Sequence, residues 1–402
     1  MGQESVAAAR GPASAGPRLT SLDAYRGFTM LAMASGGLGM QQLLTDPTWG
    51  WLADQLEHRR WEGCTFWDLI QPSFMFIVGV AMPLAFAQRR QRGDSWARQC
   101  LHAARRSLTL IALGIFLDSF GRNAVVIQFI RVLQQIAIGY FLAFLVLDRG
   151  PKVQAGVAAL LLVGHTAAYL LWGETGTCRL LPAAVAAAVG GPANGPPTTA
   201  IVPLFPPLAA GGPWGPITNV GFWVDQLLGL PLSSGHYVTI NAISSTATIL
   251  FGVLAGELLQ TTWPARRKLG VLAAAGLAGL VVGLALTPWV PMVKRLWTAS
   301  FTLFAGGWTC WFLVFFYGVI DVLSWRRWAF PLVVVGVNSI AIYVAAGTLR
   351  GPIRSALQPF VAGPIAAAIA PPWQPVVMSV LSTTVLWLGC YWLYRRGIFF
   401  KV

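Results

Sequence analysis

The chain has 402 residues, 56% of them hydrophobic and only 10% charged, with a mean hydropathy of +0.63. A soluble fold of this length could not hide so much apolar surface, so the composition excludes a water-soluble globular protein and calls for a membrane as solvent. The net charge of +14 would suggest nucleic acid in a soluble domain. Here the arginines cluster at the ends of apolar runs instead of along one face, and nucleic acid is not an expected partner.

Met1–Pro17 is rich in Ala and Gly without an apolar h-region, so it is not a signal peptide, and residues 1–20 read as a disordered cytoplasmic tail. A membrane span needs roughly 20 apolar residues. Ten runs qualify: Gly27–Leu44, Phe66–Ala87, Ser107–Phe120, Phe129–Leu147, Val153–Trp172, Tyr237–Leu259, Leu269–Leu286, Thr298–Ile320, Trp328–Thr348 and Pro375–Tyr394. The third, short and Gly-containing, is the weakest of them. The expected fold class is therefore all-α, a polytopic transmembrane helical bundle of about ten spans, with residues 21–402 as one domain.

Basic residues set the orientation. Arg89, Arg90, Arg92, Arg98, Arg105 and Arg106 crowd the second connection, Arg149 and Lys152 the fourth, Arg266, Arg267 and Lys268 the sixth, and Arg326 and Arg327 the eighth. Odd-numbered connections are poorer in them. The positive-inside rule then places both termini in the cytoplasm and the long connection at 173–236 outside, in a multi-pass protein of the cytoplasmic (inner) membrane. That connection is rich in Gly, Pro and Ala, and its most apolar stretch, Ile201–Leu208, is cut by Pro203, Pro206 and Pro207. It reads as a loop packed over the bundle mouth. Cys64, Cys100, Cys178, Cys310 and Cys390 contain no CxxC pair, which supports neither a disulfide framework nor a metal site.

Polar residues at membrane depth mark candidate chemistry. SLDAYRG (Ser21–Gly27) opens the first span, with Ser21 suited to capping a helix, Asp23 to its positive end and Arg26 to lipid headgroups. The second cluster is HRRWEGCTFWDLIQPSFMFIVG, His58 to Gly79. If helical, Thr65 and Asp68 share a face, with Pro72 one turn on to kink or open the helix. An imidazole near an acid at a helix start is what a general base needs. The residues alone leave open that His58 is a solvated loop histidine and Asp68 a helix-start carboxylate.

Together these segments resemble the heparan-α-glucosaminide N-acetyltransferase family, which carries RSLDxxRG and then HxxWxGxTxxDLxxPxFxFxxG. All fixed positions of the second pattern are present: His58, Trp61, Gly63, Thr65, Asp68, Leu69, Pro72, Phe74, Phe76 and Gly79. RVLQQIAIGY (Arg131–Tyr140), LWTASF (Leu296–Phe301) and VNSIAIYV (Val337–Val344) are similar to later family segments in the same order. The chain looks like a compact bacterial-type member, without the luminal domain that lysosomal members carry ahead of the first span. Two departures concern the acceptor. Gly37 stands where the family has Asn, and LSSG (Leu232–Gly235) where it has the acidic DPEG.

The resemblance implies transfer of an acetyl group from cytosolic acetyl-CoA to an amino sugar or glycan on the far side of the membrane, as N- or O-acetylation. His58 would be base or acyl carrier and Asp68 its support. Arg26 and Arg106 are the expected CoA contacts, and Arg131, Asn241 and Asn338 the expected acceptor contacts, with helix-to-helix hydrogen bonding an equally good reading of these polar residues. No metal is expected. Membrane lipid and a second copy of the chain in a homodimer complete the expected partners. The competing reading is a transporter or flippase of a polar or lipid-linked solute, favoured by a Pro-broken span and buried Asn residues. Point chemistry at His58 and the scarcity of intramembrane charge favour the enzyme.

Overall fold

The computed structural model describes residues 19–172, 212–231, 233, 235–361 and 368–400. All but the end of the tail at 1–20, most of the connection at 173–236, Cys178 and parts of LSSG lie outside the described residues. Among the described residues the regular structure is helical, without strands. Seven helices are long and apolar enough to cross a membrane: Trp67–Gln91, Trp96–Ser119, Pro151–Trp172, Asn241–Gln260, Ala265–Ala285, Ala299–Val322 and Pro371–Arg395. Arg327–Gly336 and Ser339–Thr348, which meet at 67°, would make an eighth if they form one broken span. The remaining two predicted spans correspond to shorter helices, Thr20–Ser35 with 16 residues and Val132–Val146 with 15.

Four local expectations change. The first helix, α1 (Thr20–Ser35), starts before Gly27 and stops well short of Leu44. Gly36, Gly37, Leu38 and Gly39 all take positive φ, a left-handed run that ends a helix. Ser21 does not cap it, because Leu19 holds that place. Instead the Ser21 amide and hydroxyl donate to Asp321, the hydroxyl at 2.5 Å. At Gly37, with φ of 71°, Asn is among the non-glycine residues best tolerated, so the departure keeps the turn while removing an amide.

Downstream come α2 (Gly50–Gln55), α3 (Ile70–Gln91) and α4 (Trp96–Ser119). α4 is longer than the run Ser107–Phe120, because Ser95 caps it by accepting from the Arg98 amide and helix formers follow. Arg98, Arg105 and Arg106 therefore sit on α4, and Arg89 and Arg90 in the last turn of α3, leaving the connection itself short. Pro72 does not break α3. It lies in the helix's first turn, where a missing N–H costs little, and Trp67–Gln91 runs as one helix.

The chain forms two compact units. One holds residues 40–315: α2, α3, α4, α5 (Val132–Val146), α6 (Pro151–Trp172), α7 (Val220–Leu227), α8 (Asn241–Gln260), α9 (Ala265–Ala285) and α10 (Ala299–Phe316), the last reaching its boundary. Its centre is the α3–α8 pair. A Cβ on Gly79 would lie 2.0 Å from the Ile249 carbonyl oxygen, and one on Gly252 2.0 Å from that of Phe76, so bare backbone faces bare backbone. Of the apolar window of Trp67–Gln91, 83% is buried, against 22% for Pro151–Trp172 and Ala265–Ala285. The outer helices thus turn Leu160, Val163, Leu277 and Val281 outward, a surface suited to hydrocarbon.

The other unit holds α1 with α11 (Phe330–Gly336), α12 (Ser339–Thr348), α13 (Arg350–Phe360) and α14 (Gln374–Arg395). Gly27, the last residue of SLDAYRG, lies so close to α11 that a Cβ would meet the Leu332 carbonyl. Gly336 makes the reciprocal approach to Asp23.

Candidate active site

The site grows from the loop ahead of α3. Trp61, 4% exposed, anchors it, its indole N–H donating to the Trp214 carbonyl at 3.0 Å. Gly63 takes φ of 102° and donates its amide to Met292 at 2.8 Å, while Glu62 pairs with Val293 in a single antiparallel bridge. The WxG spacing thus stitches the loop to the connection between α9 and α10. That connection is held in turn by LWTASF. The Thr298 hydroxyl accepts from the Val293 amide at 3.0 Å and lies 2.8 Å from the Pro291 carbonyl, and Trp297, fully buried with φ of 52°, directs its indole to Thr248.

Asp68 sits at the start of the span, 1% exposed. Its Oδ2 accepts from the amides of Arg59 and Thr65, each at 3.2 Å, and faces the Thr65 hydroxyl at 3.1 Å. That hydroxyl also lies 2.7 Å from the Glu57 carbonyl and can donate to only one at a time. Thr65 and Asp68 are therefore a folded cap rather than one helix face. Oδ1 faces His58 Nδ1 at 2.7 Å and Lys294 Nζ at 3.3 Å. Lys294 Nζ is also 3.2 Å from His58 Nδ1.

This geometry sets the tautomer. A carboxylate that already accepts two backbone N–H groups is best ionised, so His58 Nδ1 carries the proton and donates it to Asp68. Nε2 is then a lone-pair nitrogen, on a side chain that is 41% exposed. Burial and then the Lys294 charge push the His58 pKa below its ordinary 6.5, against the pull of Asp68, so neutral imidazole prevails near pH 7. Burial pushes the neighbouring Cys64 thiol up, which argues against a thiolate nucleophile there.

Around this centre lie His236, 5% exposed with its ring 6.5 Å from that of Trp61, and Arg295, which donates to the Gly235 carbonyl at 2.6 Å. Burial and the Arg295 charge push the His236 pKa down to about 4. Asn241 is tied in through the Arg295 carbonyl, which accepts from its amide, and its own Oδ1 is buried without a partner.

The other sequence candidates sit elsewhere. Arg131 pairs with Asp118 at 2.6 Å at the α4–α5 junction, beside Gln134. Arg106 lies over the Tyr140 ring at 4.6 Å with its Nε buried and unpartnered. Arg26 and Asn338 belong to the other unit. Arg26 is 3.7 Å from Asp23, and Asn338 clamps the segment at 398–400, donating to the Ile398 carbonyl and accepting from the Phe400 amide. Lys294, Arg295 and His236 were not singled out from the sequence. The available signal was a pair of adjacent bases in the seventh connection, on the side otherwise poor in them, directly before LWTASF.

A multi-pass membrane protein with a carboxylate–imidazole pair at the start of a span is the class that fold and site define. Residues 18–215 match the family described as heparan-alpha-glucosaminide N-acetyltransferase, catalytic. The heparan-alpha-glucosaminide N-acetyltransferases of Homo sapiens and Mus musculus are 26% and 24% identical to this chain over 96% and 97% of it. The chain spans about three fifths of their length, 60% and 61%. The resemblance carried by the motifs therefore holds, strongest over the N-terminal half and at low identity over nearly the whole chain.

Proposed function

We propose that the chain is a membrane-embedded acyltransferase moving an acetyl group from cytosolic acetyl-CoA to an amino sugar or glycan on the extracytoplasmic side. The observation that carries this reading is the His58–Asp68 pair inside the fully matched motif, joined by Lys294 from the connection between α9 and α10. As a base, His58 Nε2 takes a proton from the acceptor amine as its nitrogen attacks the thioester carbonyl. The C–N bond forms, the C–S bond breaks, and the departing thiolate takes up a proton. As a carrier, Nε2 attacks the thioester first, the C–S bond breaks and the thiolate leaves to take up a proton. The acceptor amine then forms the C–N bond as the acyl–imidazole bond breaks, and the released imidazole takes the amine's proton. In both, the Nδ1–H bond to Asp68 stabilises positive charge on the ring, and Lys294 limits how readily that charge forms.

Arg106, with its unpartnered buried Nε, suits a CoA phosphate; Arg26 is proposed on its own account as a CoA contact. Asn241 Oδ1 suits an acceptor hydroxyl or amine. Arg131 and Asn338, each already engaged in joining helices or chain segments, are weaker acceptor contacts.

The proposed topology keeps ten crossings with both termini cytoplasmic, residues 21–402 as one inner-membrane domain, and a homodimer as its assembly. Supporting it, Trp61 meets Trp214 at 3.0 Å, as suits two connections that the proposed topology puts on the same side of the membrane. The ten-span reading needs α5, despite its 15 residues, to cross as well. The deciding experiment incubates purified protein with radiolabelled acetyl-CoA and a panel of amino sugars and glycans. Label on an acceptor, absent with His58→Ala, supports the reading, and no transfer to any acceptor removes it.

A further inference from the structure

We infer that a trough between α8, α9 and α10, remote from the chemistry proposed above, holds a single anionic phospholipid. The cavity measures about 730 Å³, and Ala255, Ala275, Ala278, Gly279, Gly306 and Gly307 supply its small-residue walls. Gly279 and Gly307 bring α9 and α10 together there, since a Cβ on Gly279 would lie 2.8 Å from the Leu303 carbonyl and 3.1 Å from Gly307. The trough has a depth. Its lining runs from Phe251 to Thr261 on and just past α8 and from Val271 to Val282 on α9. Ten or eleven residue-to-residue steps at 1.5 Å each make roughly 15 Å, half of a hydrocarbon core of about 30 Å. One leaflet's acyl chains match that length.

One end is chemically distinct. Trp263 lines the cavity and carries the Arg267 guanidinium 3.7 Å over its ring. Pro151 lines it too, between exposed Arg149 and Lys152. Arg149, Lys152 and exposed Arg266 have no ion-pair partner among the described residues. Of the nearby acids, Asp148 is paired with Arg90 at 2.5 Å, while Glu257, which lines the trough and accepts from the Gln154 amide at 2.6 Å, is a single carboxylate outnumbered by these cations. An apolar slot of one-leaflet depth, ending in an aromatic and several unneutralised cations at headgroup level, is complementary to an anionic lipid and not to a zwitterionic one. An amphipathic peptide would need polar contacts along the slot, whose walls offer almost none.

The test reconstitutes the full chain in nanodiscs of phosphatidylglycerol or phosphatidylcholine, re-extracts it in detergent and measures bound phospholipid by native mass spectrometry. Phosphatidylglycerol should stay bound at about one per chain and phosphatidylcholine should not. Each juxtamembrane cation contributes about 1 kcal/mol, so Arg266→Gln with Arg267→Gln should weaken phosphatidylglycerol binding by roughly tenfold or more. Ala278→Phe, on an exposed position of α9, should block it by filling the slot while the fold survives, as judged by its melting temperature. Equal retention of both lipids, or undiminished retention in the Ala278→Phe protein, would overturn the site and leave the basic residues with orientation as their only role.

Discussion

His58 and Lys294, 236 residues apart in sequence, approach to 3.2 Å, with the Asp68 carboxylate bridging them. A base that shares its carboxylate with a lysine is restrained. The ring is oriented and its tautomer fixed, yet protonating it places a second positive charge beside the ammonium. Charged groups around the ring comprise Asp68, Lys294, Arg295, Glu57 and Arg59, the last paired with Asp54 at 2.9 Å.

The first prediction concerns the base itself. Replacing His58 by Ala should lower acetyl transfer by about 10²–10⁴-fold, with melting temperature and CoA binding retained, because the side chain is 41% exposed and fills no core. Turnover equal to that of the unaltered protein would reduce the histidine to a loop residue.

The second concerns pH. The His58 pKa is pushed below 6.5, so its base form persists as pH falls and activity should decline only below that value. Lys294→Met removes a cation that opposes imidazolium, so the acid limb of the rate profile should move to higher pH, while Lys294→Arg should keep it near its original place. A limb that stays put in the Met variant would separate Lys294 from the base.

The third concerns stability in acid. His236, with its pKa pushed down to about 4 from 6.5, is neutral in the folded chain where the unfolded chain already binds a proton. Stability should therefore fall as pH drops from about 6.5 to about 4. In His236→Gln, that part of the slope of melting temperature against pH should vanish, and identical slopes would refute a buried neutral imidazole.

The fourth separates two kinds of glycine. Gly252→Val would push a Cβ against the Phe76 carbonyl at 2.0 Å and should destabilise by more than the ~1–3 kcal/mol usual for overpacking. Gly156→Ala and Gly164→Ala, with open space around both positions, should be neutral or slightly stabilising. Thermal melts of the three proteins decide it.

The sequence made the long apolar helices legible because each is a continuous hydrophobic run, and hydrophobicity alone decides the solvent. It misplaced the end of α1 because ASGGLG is apolar enough to extend a run, while the positive φ of four successive residues is invisible to hydropathy. The start of α4 was missed for the opposite reason, since arginines on a helix read as a loop. At the site, His58 and Asp68 lie ten residues apart within one pattern, and their contact follows the cap that Thr65 builds. Lys294 reaches them through tertiary pairing at Gly63–Met292, which no local spacing encodes.

That pairing bears on how the protein could be divided or recombined. The segment that matches the family, residues 18–215, contains His58 and Asp68 but ends long before Met292, Val293 and Lys294. Produced alone, it would leave the Gly63 amide and the Asp68 Oδ1 each short of a partner. A chimera joining this N-terminal half to the C-terminal half of a distant relative would assemble the proposed reaction centre from two lineages, and would be expected to work only where the residues at 291–298 travel with the histidine they brace.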